Sequence, residues 1–448
     1  MASLSRWLRR RHPAQLLVGA FAIGIVVGAG LLMFPFATES GESASFLTAI
    51  FTSTSAICVT GLVVVDTPTY WSSFGEVVIM LLVQVGGLGI MTLASLLIFL
   101  LAGKLGLRGR LLAQAEVAAP LLADVRRLVF AVVKLSLTFE AIGAVILAVR
   151  WWTDYDYSLG RSIYLGIFHA ITSFNNAGFA LWSDSLTQFA TDGWICVTVA
   201  LLIIAGGLGF PVWLELSRLW RQPQRLTLHT KLTVLVTAVL VVGGTGAVLA
   251  FEWGNPGTLG PFGLGGKLLA GFFQGVTPRT AGFNSVDYGE MELETLFVSD
   301  FLMFVGAGSA STGGGIKVTT LALLALMVWS ELRGDPHVTI FSRRLPAHAQ
   351  RQAFAVATIA LSAVVISTLA LMANSEFTLS QSLFEAFSAF GTVGLSTGIT
   401  ADIAAAGQWV LILLMYLGRV GPHTLGVALA LRERQRLYGF PEERPIIG

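Results

Sequence analysis

Along this chain the hydrophobic positions form runs too long for a soluble fold. Gln15 to Pro35, Val77 to Ala102 and Val410 to Leu431 are examples, each exceeding the roughly 20 residues a helix needs to cross a bilayer. Shorter amphipathic runs lie between the long ones, and one order recurs four times: long apolar helix, short amphipathic helix, glycine motif, long apolar helix. The pattern predicts long helices near 14–36 and 74–102, 128–151 and 190–219, 231–253 and 296–331, and 351–373 and 408–432. The short helices are predicted near 44–57, 161–174, 265–277 and 378–390. The repeats then occupy 1–102, 103–219, 220–331 and 332–432, followed by a tail, 433–448.

Helices of about a dozen residues reach only about 18 Å, against about 30 Å of hydrocarbon. They must therefore enter and return on the same side. Backbone at that depth is tolerated only in protein or beside a watery cavity, so four such helices imply one shared central pore and eight spanning helices. The expected fold is an all-α integral membrane protein. Composition agrees: hydrophobic residues make up 54% and charged residues 12%, about half the charge of a soluble domain. The first helix follows Arg6, Arg9, Arg10 and Arg11. It is too long for a signal-peptide core and lacks a clean cleavage site, so it is expected to stay as an anchor. Cys58 and Cys196 lie in apolar surroundings, which argues against a structural disulfide. The net charge of +2 gives no reason to expect a nucleic-acid partner.

The four glycine motifs read Ser55-Ala56-Ile57-Cys58-Val59-Thr60-Gly61-Leu62, Thr172-Ser173-Phe174-Asn175-Asn176-Ala177-Gly178-Phe179, Val276-Thr277-Pro278-Arg279-Thr280-Ala281-Gly282-Phe283 and Ser388-Ala389-Phe390-Gly391-Thr392-Val393-Gly394-Leu395. They align without gaps on Gly61, Gly178, Gly282 and Gly394. Phe51, Phe168, Phe272 and Phe384 stand ten positions earlier. A register held over such separations marks an internal repeat. Glycine lets the chain turn its carbonyls inward, and a ring of carbonyls can replace a cation's hydration shell without burying a charge. The candidate carbonyls belong to Val59, Thr60 and Gly61, Asn176, Ala177 and Gly178, Thr280, Ala281 and Gly282, and Thr392, Val393 and Gly394. The C-terminal, partly negative end of each short helix points at the same place. Close helix packing is the competing use of glycine in a membrane.

Basic residues set the orientation. Most of the 28 lie at the N-terminus, at 104–127, 218–231 and 333–351, and in the tail at Arg432, Arg434, Arg436 and Arg444. The positive-inside rule makes these segments and both termini cytoplasmic. The opposite loops carry Glu39, Glu42, Asp66, Asp154, Asp156, Asp184, Asp287, Glu290, Glu292 and Glu294. They either form an acidic funnel that concentrates cations or simply solvate the loops.

These motifs, with Gln84-Val85-Gly86-Gly87-Leu88-Gly89-Ile90-Met91-Thr92 and Gly313-Gly314-Gly315-Ile316-Lys317-Val318-Thr319-Thr320, closely resemble the Trk/Ktr/HKT superfamily of potassium transporters. The resemblance covers essentially the whole chain and is nearest the KtrB branch of membrane subunits. It implies a channel-like pseudo-fourfold pore and potassium as the transported ion, in some members with sodium. It also implies a homodimer in the cell membrane, resting on a cytoplasmic ring of nucleotide-binding KtrA/TrkA-type subunits. A less selective sodium/potassium conductor is the alternative within transport. An intramembrane enzyme or receptor scaffold is the alternative outside it, but no nucleophile–base–orienter set is visible.

Two features of the lower pore complete the reading. Gly306, Ala307, Gly308, Ser309, Ala310, Ser311, Thr312, Gly313, Gly314 and Gly315 interrupt an apolar helix with residues poor at holding one. A phosphate loop is excluded by Ile316, which separates the glycines from Lys317. The resemblance makes 306–317 an intramembrane gate, and Lys317 a residue able to pin it through carbonyls. The alternative is a close-packed kink. Arg419 is ten residues past Trp409, near the bilayer midplane, where a charge costs at least about 2.5–3.5 kcal/mol. It either faces the pore below the ring, as the resemblance implies, or forms a structural ion pair, with Glu140 as the candidate. His169 has no second ligand nearby. Arg279 is expected either to brace the outer acidic residues or to face water.

Overall fold

The computed structural model describes residues 13–104, 125–219 and 226–421. The basic residues Arg6, Arg9, Arg10, Arg11, Arg108, Arg110, Arg221, Arg225, Arg432, Arg434, Arg436 and Arg444 lie outside the described residues, as does the tail.

Fourteen helices longer than one turn are described. They are α1 Pro13–Leu32, α2 Phe46–Ile57, α3 Ser73–Lys104, α4 Val125–Asp154, α5 Leu159–Phe174, α6 Gly193–Leu208 and α7 Phe210–Leu219. They continue as α8 Leu228–Glu252, α9 Leu264–Val276, α10 Leu293–Phe304, α11 Val318–Leu332, α12 Ala347–Ala373, α13 Leu379–Gly391 and α14 Ala405–Val420. The order is helix, short helix, turn, helix, four times over. Each long first helix packs against its own short helix: α1 on α2, α4 on α5, α8 on α9 and α12 on α13. The short helices have 12, 16, 13 and 13 residues, too few to span at about 1.5 Å each. Three of them begin on a hydroxyl cap. Ser45 accepts from the Thr48 amide, Ser158 from the Arg161 amide, and Thr378 forms a reciprocal box with Gln381. The third short helix starts at Gly263 without a side-chain cap.

Val129–Asp154, Leu228–Glu252 and Ala347–Ala373 are each long and apolar enough to cross a membrane. Apolar side chains point outward along these helices: Val242 is 71% exposed and Ile366 67%. In water such a surface would be a liability, but in lipid it needs no cover. The buried centre is the opposite, rich in Ser, Thr and Asn that are fully enclosed around the glycine motifs. Among the described residues the only strand pairing beyond isolated bridges is a small hairpin, β1 Thr339–Ile340 with β2 Arg343–Arg344, between α11 and α12. Phe341 and Ser342 turn it with φ of 46° and 60°, the two positive angles a tight hairpin turn requires.

Three of the expected helices differ from the pattern. The helix expected over 190–219 is broken at Gly209, whose φ is +88°, and its halves meet at 97°. The helix expected over 296–331 is two helices, α10 and α11, joined by 305–317. In the range expected for a helix over 408–432, α14 ends at Val420, with Gly421 at φ +87°; 422–432 lies outside the described residues. The second helices of repeats two, three and four therefore each leave helical geometry part-way.

Candidate functional site

The four short helices converge. Repeats one, two and four close alike: the Thr60, Ala177 and Val393 amides donate to the Ser55, Thr172 and Ser388 carbonyls at 2.7–2.8 Å. In repeat three the Ala281 amide donates to the Thr277 carbonyl at 3.0 Å. The next residues then share one backbone signature. Two positions before each glycine, Val59, Asn176, Thr280 and Thr392 have φ of 58°, 60°, 74° and 50°, and the glycines themselves have φ of 94°, 65°, 78° and 95°. Three of those four non-glycine residues are β-branched, for which a positive φ is an outlier. Such conformations cost on the order of 1–3 kcal/mol each and persist only where the surroundings impose them. Four equivalent outliers make a built feature.

The glycines form a closed ring. A methyl carbon added to Gly61 would lie 3.1 Å from Gly178 Cα, one added to Gly178 would lie 2.8 Å from Gly282 Cα, and one added to Gly394 would lie 2.9 Å from Gly61 Cα. One added to Gly282 would meet the Val393 carbonyl of repeat four. In each case the atom met alongside is the carbonyl oxygen of the residue before the next glycine. Ala177 faces Gly61, Ala281 faces Gly178, Val393 faces Gly282 and Thr60 faces Gly394. Four peptide oxygens from four copies thus interleave with four bare Cα atoms, and no side chain has room there. Thr60, Asn176, Ala177, Thr280, Ala281, Thr392 and Val393 are all fully buried.

The segment 305–317 is tucked against this ring at Thr280 and Thr392. A Cβ on Gly313 would lie 3.1 Å from Thr280 Cβ, and one on Gly314 3.1 Å from Thr392 Cβ. The loop bonds to other repeats through its backbone. The Gly308 amide donates to Gly207 O at 2.8 Å, the Thr312 amide to Gly206 O at 3.3 Å, and the Thr312 hydroxyl to Phe174 O at 3.2 Å. The Gly306 amide closes the loop on Ile316 O at 2.9 Å, and Lys317 Nζ donates to Gly313 O at 2.6 Å. Ser311 Oγ donates to Gly308 O at 2.6 Å, and Ser309 Oγ stands 3.3 Å from Thr319 Oγ1. Gly315 takes φ +63°. The break in the second repeat fits the same loop, since the Phe210 amide donates to Ala310 O at 3.2 Å. A Cβ on Gly209 would lie 2.7 Å from Ser309 O.

Arg419 reaches across the same space. Its side chain is 3% exposed, and its guanidinium donates to the Thr312 carbonyl and, at 2.7 Å, to the Gly86 carbonyl. Gly86, Gly206 and Gly418 pack against carbonyls at the C-terminal ends of their own short helices, those of Ile57, Phe174 and Phe390. Arg419 therefore holds the place that Gly87 and Gly207 hold in repeats one and two. One cation breaks the pseudo-symmetry directly beside the loop. The expected partner Glu140 is not engaged by it. Arg419 lies in the last turn of α14 and Glu140 in the middle of α4, and the two side chains have different partners.

The TrkH family model, described as cation transport protein, matches residues 5–437. The chain belongs to this family. It is 41% identical over 432 residues to Ktr system potassium uptake protein B of Bacillus subtilis (strain 168), covering 96% of each chain. It is 37% identical over 455 residues to the potassium/sodium uptake protein NtpJ of Enterococcus hirae, covering 100% of each. The crystal structure of the potassium transporter TrkH from Vibrio parahaemolyticus matches with a TM-score of 0.68 at 20% identity, over 92% of this chain and 85% of that one. That likeness speaks to the fold. All are transporters rather than enzymes.

Around the ring of this TrkH-family chain, further buried side chains hold the motifs in place, and Glu140 ties helices together as its mid-helix place leads one to expect. Glu140 accepts from Gln84 Nε2 at 3.1 Å on both oxygens and from Asn175 Nδ2 at 3.2 Å. Asn175 Nδ2 also reaches Gln84 Oε1 at 2.8 Å and Ile171 O at 2.9 Å. The carboxyl thus ties the second motif to helices α3 and α4. Arg279 neither braces the outer acids nor faces water. It is 5% exposed, donates to Thr237 Oγ1 at 3.4 Å, and lines a cavity of about 10 Å³ with Ile203, Ile204, Gly207 and Val276. Standing three residues before Gly282, it belongs to the base of the motif. His169 accepts from the Leu181 amide through Nε2 at 3.3 Å, with Nδ1 2.8 Å from Leu165 O. Among the described residues no cluster of three or more His, Cys, Asp or Glu is placed to hold a metal. Cys58 and Cys196 are free and buried. Beyond the ring, Glu385 accepts from Ser396 and, at 3.0 Å, from Thr400, bracing the strand that leaves Gly394. At the rim, burial alone would raise the Asp192 carboxyl. Bonds from Arg150 at 2.9 Å, Tyr155 at 2.9 Å and the Ile195 amide at 3.3 Å outweigh it and hold the carboxyl below its ordinary value.

Proposed function

We propose that this chain is a potassium-uptake transporter of the cell membrane, in which a desolvated K⁺ passes inward through the ring at Gly61, Gly178, Gly282 and Gly394. The observation that carries the reading is the interleaving of four peptide oxygens, from Thr60, Ala177, Ala281 and Val393, with four glycine Cα atoms. Peptide oxygens can take over an ion's hydration without a fixed charge. Val59, Asn176, Thr280 and Thr392 supply the next carbonyls toward the cytoplasm. The membrane potential contributes about 2.3 kcal/mol per charge per 100 mV, which drives uptake without nucleotide hydrolysis in this chain. The names of the Bacillus and Enterococcus relatives support potassium as cargo.

In this proposal the loop 306–317 is the gate. Its closed position is held by Lys317 on Gly313 and by Arg419 on Thr312, and both bonds can be exchanged for water when the loop moves. The trigger comes from a cytoplasmic partner: a nucleotide-binding ring of the KtrA/TrkA type, acting on a homodimer whose termini face the cytoplasm. The relatives' designation as one protein of a Ktr system supports a multi-component assembly. Anionic lipid beside the basic segments completes the environment.

The name of the Enterococcus relative also favours a second reading, a conductor that carries sodium with or beside potassium. Liposomes holding only this chain separate the two. Uptake of ⁸⁶Rb⁺ blocked by K⁺, Rb⁺ and Cs⁺ but not by Na⁺ supports the selective ring. Equal block by Na⁺ supports the permissive conductor, and no cation uptake even by a chain shortened within 308–314 overturns both.

A further inference from the structure

The ring is built from four related strands, yet they are not held alike. In repeat one the Gly61 amide donates to Ser55 Oγ at 3.0 Å. In repeat four the Gly394 amide donates to Ser388 Oγ at 3.1 Å. Both serines stand six residues before the glycine and are fully buried. The equivalent residue in repeat two is Thr172. As a β-branched residue it is confined to rotamers that bond back to its own helix: its hydroxyl donates to Phe168 O at 2.9 Å and to His169 O at 3.3 Å. The equivalent in repeat three is Val276, which has no hydroxyl. There the Thr277 hydroxyl instead bonds the Phe283 carbonyl, one residue past the glycine. Repeats two and three are linked to each other lower down, where the Asn176 amide and Thr280 Oγ1 are 3.0 Å apart.

We infer that Ser55 and Ser388 are positioning residues that set the size of the ring on the side built by repeats one and four, and so contribute to the choice between K⁺ and smaller cations. This rests on reading the ring as ion-coordinating. Repeats four and one are neighbours in the ring: a carbon added to Gly394 would meet Thr60 O and Gly61. A bond to each glycine amide fixes the plane of the peptide joining that glycine to the residue before it. That peptide carries the Thr60 carbonyl in repeat one and the Val393 carbonyl in repeat four. The serine is therefore one covalent unit from the oxygen that faces the ion, on the side away from the pore. Without it, that peptide can tilt. A tilting carbonyl follows a smaller ion inward and lowers the penalty for Na⁺. The opposite edge is held through Asn176 and Thr280 and does not depend on these hydroxyls.

The test compares Ser55→Ala, Ser388→Ala and the double variant with Thr172→Ala, which deletes a hydroxyl at the equivalent site that touches no ring amide. Each is reconstituted as the full chain, and Na⁺ block of ⁸⁶Rb⁺ uptake is measured against K⁺ block. One net hydrogen bond corresponds to roughly a two- to ten-fold change in an equilibrium. Each serine variant should lower the K⁺-over-Na⁺ preference by that factor, the double variant more, and Thr172→Ala not at all. Ser55→Cys and Ser388→Cys keep the side-chain volume with a poorer acceptor and should fall between serine and alanine. K⁺- and Na⁺-dependent thermal stabilisation of the purified variants gives the same ratio without transport. Serine variants that keep the parental ratio in both readouts, or Thr172→Ala shifting it equally, would overturn the positioning role. A parent chain that does not distinguish K⁺ from Na⁺ would instead overturn the reading of the ring itself.

Discussion

Arg419→Ala is the perturbation with the most direct consequence for the loop. The guanidinium bridges two carbonyls, Thr312 on the loop and Gly86 on α3. Only the first bond holds the loop; the second holds the arginine. A hydrogen bond from a charged donor is worth about 1.5–3 kcal/mol. Removing it should shift the closed-to-open ratio of the loop by roughly ten- to 150-fold. The same change removes a positive charge from the proposed path past the ring, and both effects favour flow. The other loop bonds remain, from Lys317 to Gly313 O, from Thr312 to Phe174 O and from the Gly308 amide to Gly207 O, so the loop should loosen rather than unfold. The assay is initial ⁸⁶Rb⁺ uptake by liposomes carrying the chain without any partner. Arg419→Ala should raise it at least several-fold. Arg419→Lys, which reaches only one carbonyl at a time, should raise it less. Uptake equal to the parent's, in a variant whose thermal stability shows it is folded, would refute the role of Arg419 in closing the loop.

Further consequences follow from the same coordinates. Gly178→Ala places a methyl 2.8 Å from Gly282 Cα at φ +65°; it should abolish selective uptake, and a variant with parental selectivity would show the ring to be looser than described. Shortening the loop within 308–314 should raise uptake in the absence of a partner, and unchanged uptake would count against gating. Glu140→Ala strips the Gln84 amide of its acceptor, at about 1–3 kcal/mol for a buried donor left unpaired, while Asn175 keeps Gln84 Oε1 and Ile171 O; its melting temperature should fall clearly, and that of Glu140→Gln less. Asp192 titrates below its unfolded value of about 3.9. Its stabilisation is therefore present above that pH and is lost as pH falls through the lower folded value. Asp192→Asn should lower stability at pH 7 and flatten the acid limb of a melting-temperature profile taken from pH 3 to 7.

Much of the helical framework could be read from hydrophobic spacing, because lipid-facing helices must be apolar over a fixed length. The short helices were legible for the complementary reason: amphipathic runs too short to span, each ending at a glycine. The breaks were less so. Gly209 sits in an uninterrupted apolar stretch, and its turn makes sense only once Ser309 and Ala310 of another repeat pack against it. Loop 305–317 was visible because its composition is incompatible with a helix, whereas its partners Gly206, Phe174 and Gly86 lie in distant segments. Arg419 and Glu140 both fall within apolar helical stretches, which the sequence reports, but α14 ends just past Arg419 and the two side chains bond to different partners, which it does not. Arg279 reads from sequence as a brace for the outer acidic residues or as a solvated side chain, yet it is buried at the base of its motif, three residues before the glycine, against Thr237 of a distant helix. The serine bonds to Gly61 and Gly394 were invisible for a subtler reason. Ser55, Thr172 and Ser388 look interchangeable in sequence, and only rotamer restriction separates them.

Anomalous scattering from crystals of the chain grown in Rb⁺ would bear most directly on the ring. A rubidium peak is expected on the central axis, equidistant from the carbonyl oxygens of Thr60, Ala177, Ala281 and Val393, and should weaken when K⁺ is added. A protein that transports Rb⁺ but binds it only elsewhere, with those four oxygens turned away from the axis, would contradict the proposed pathway.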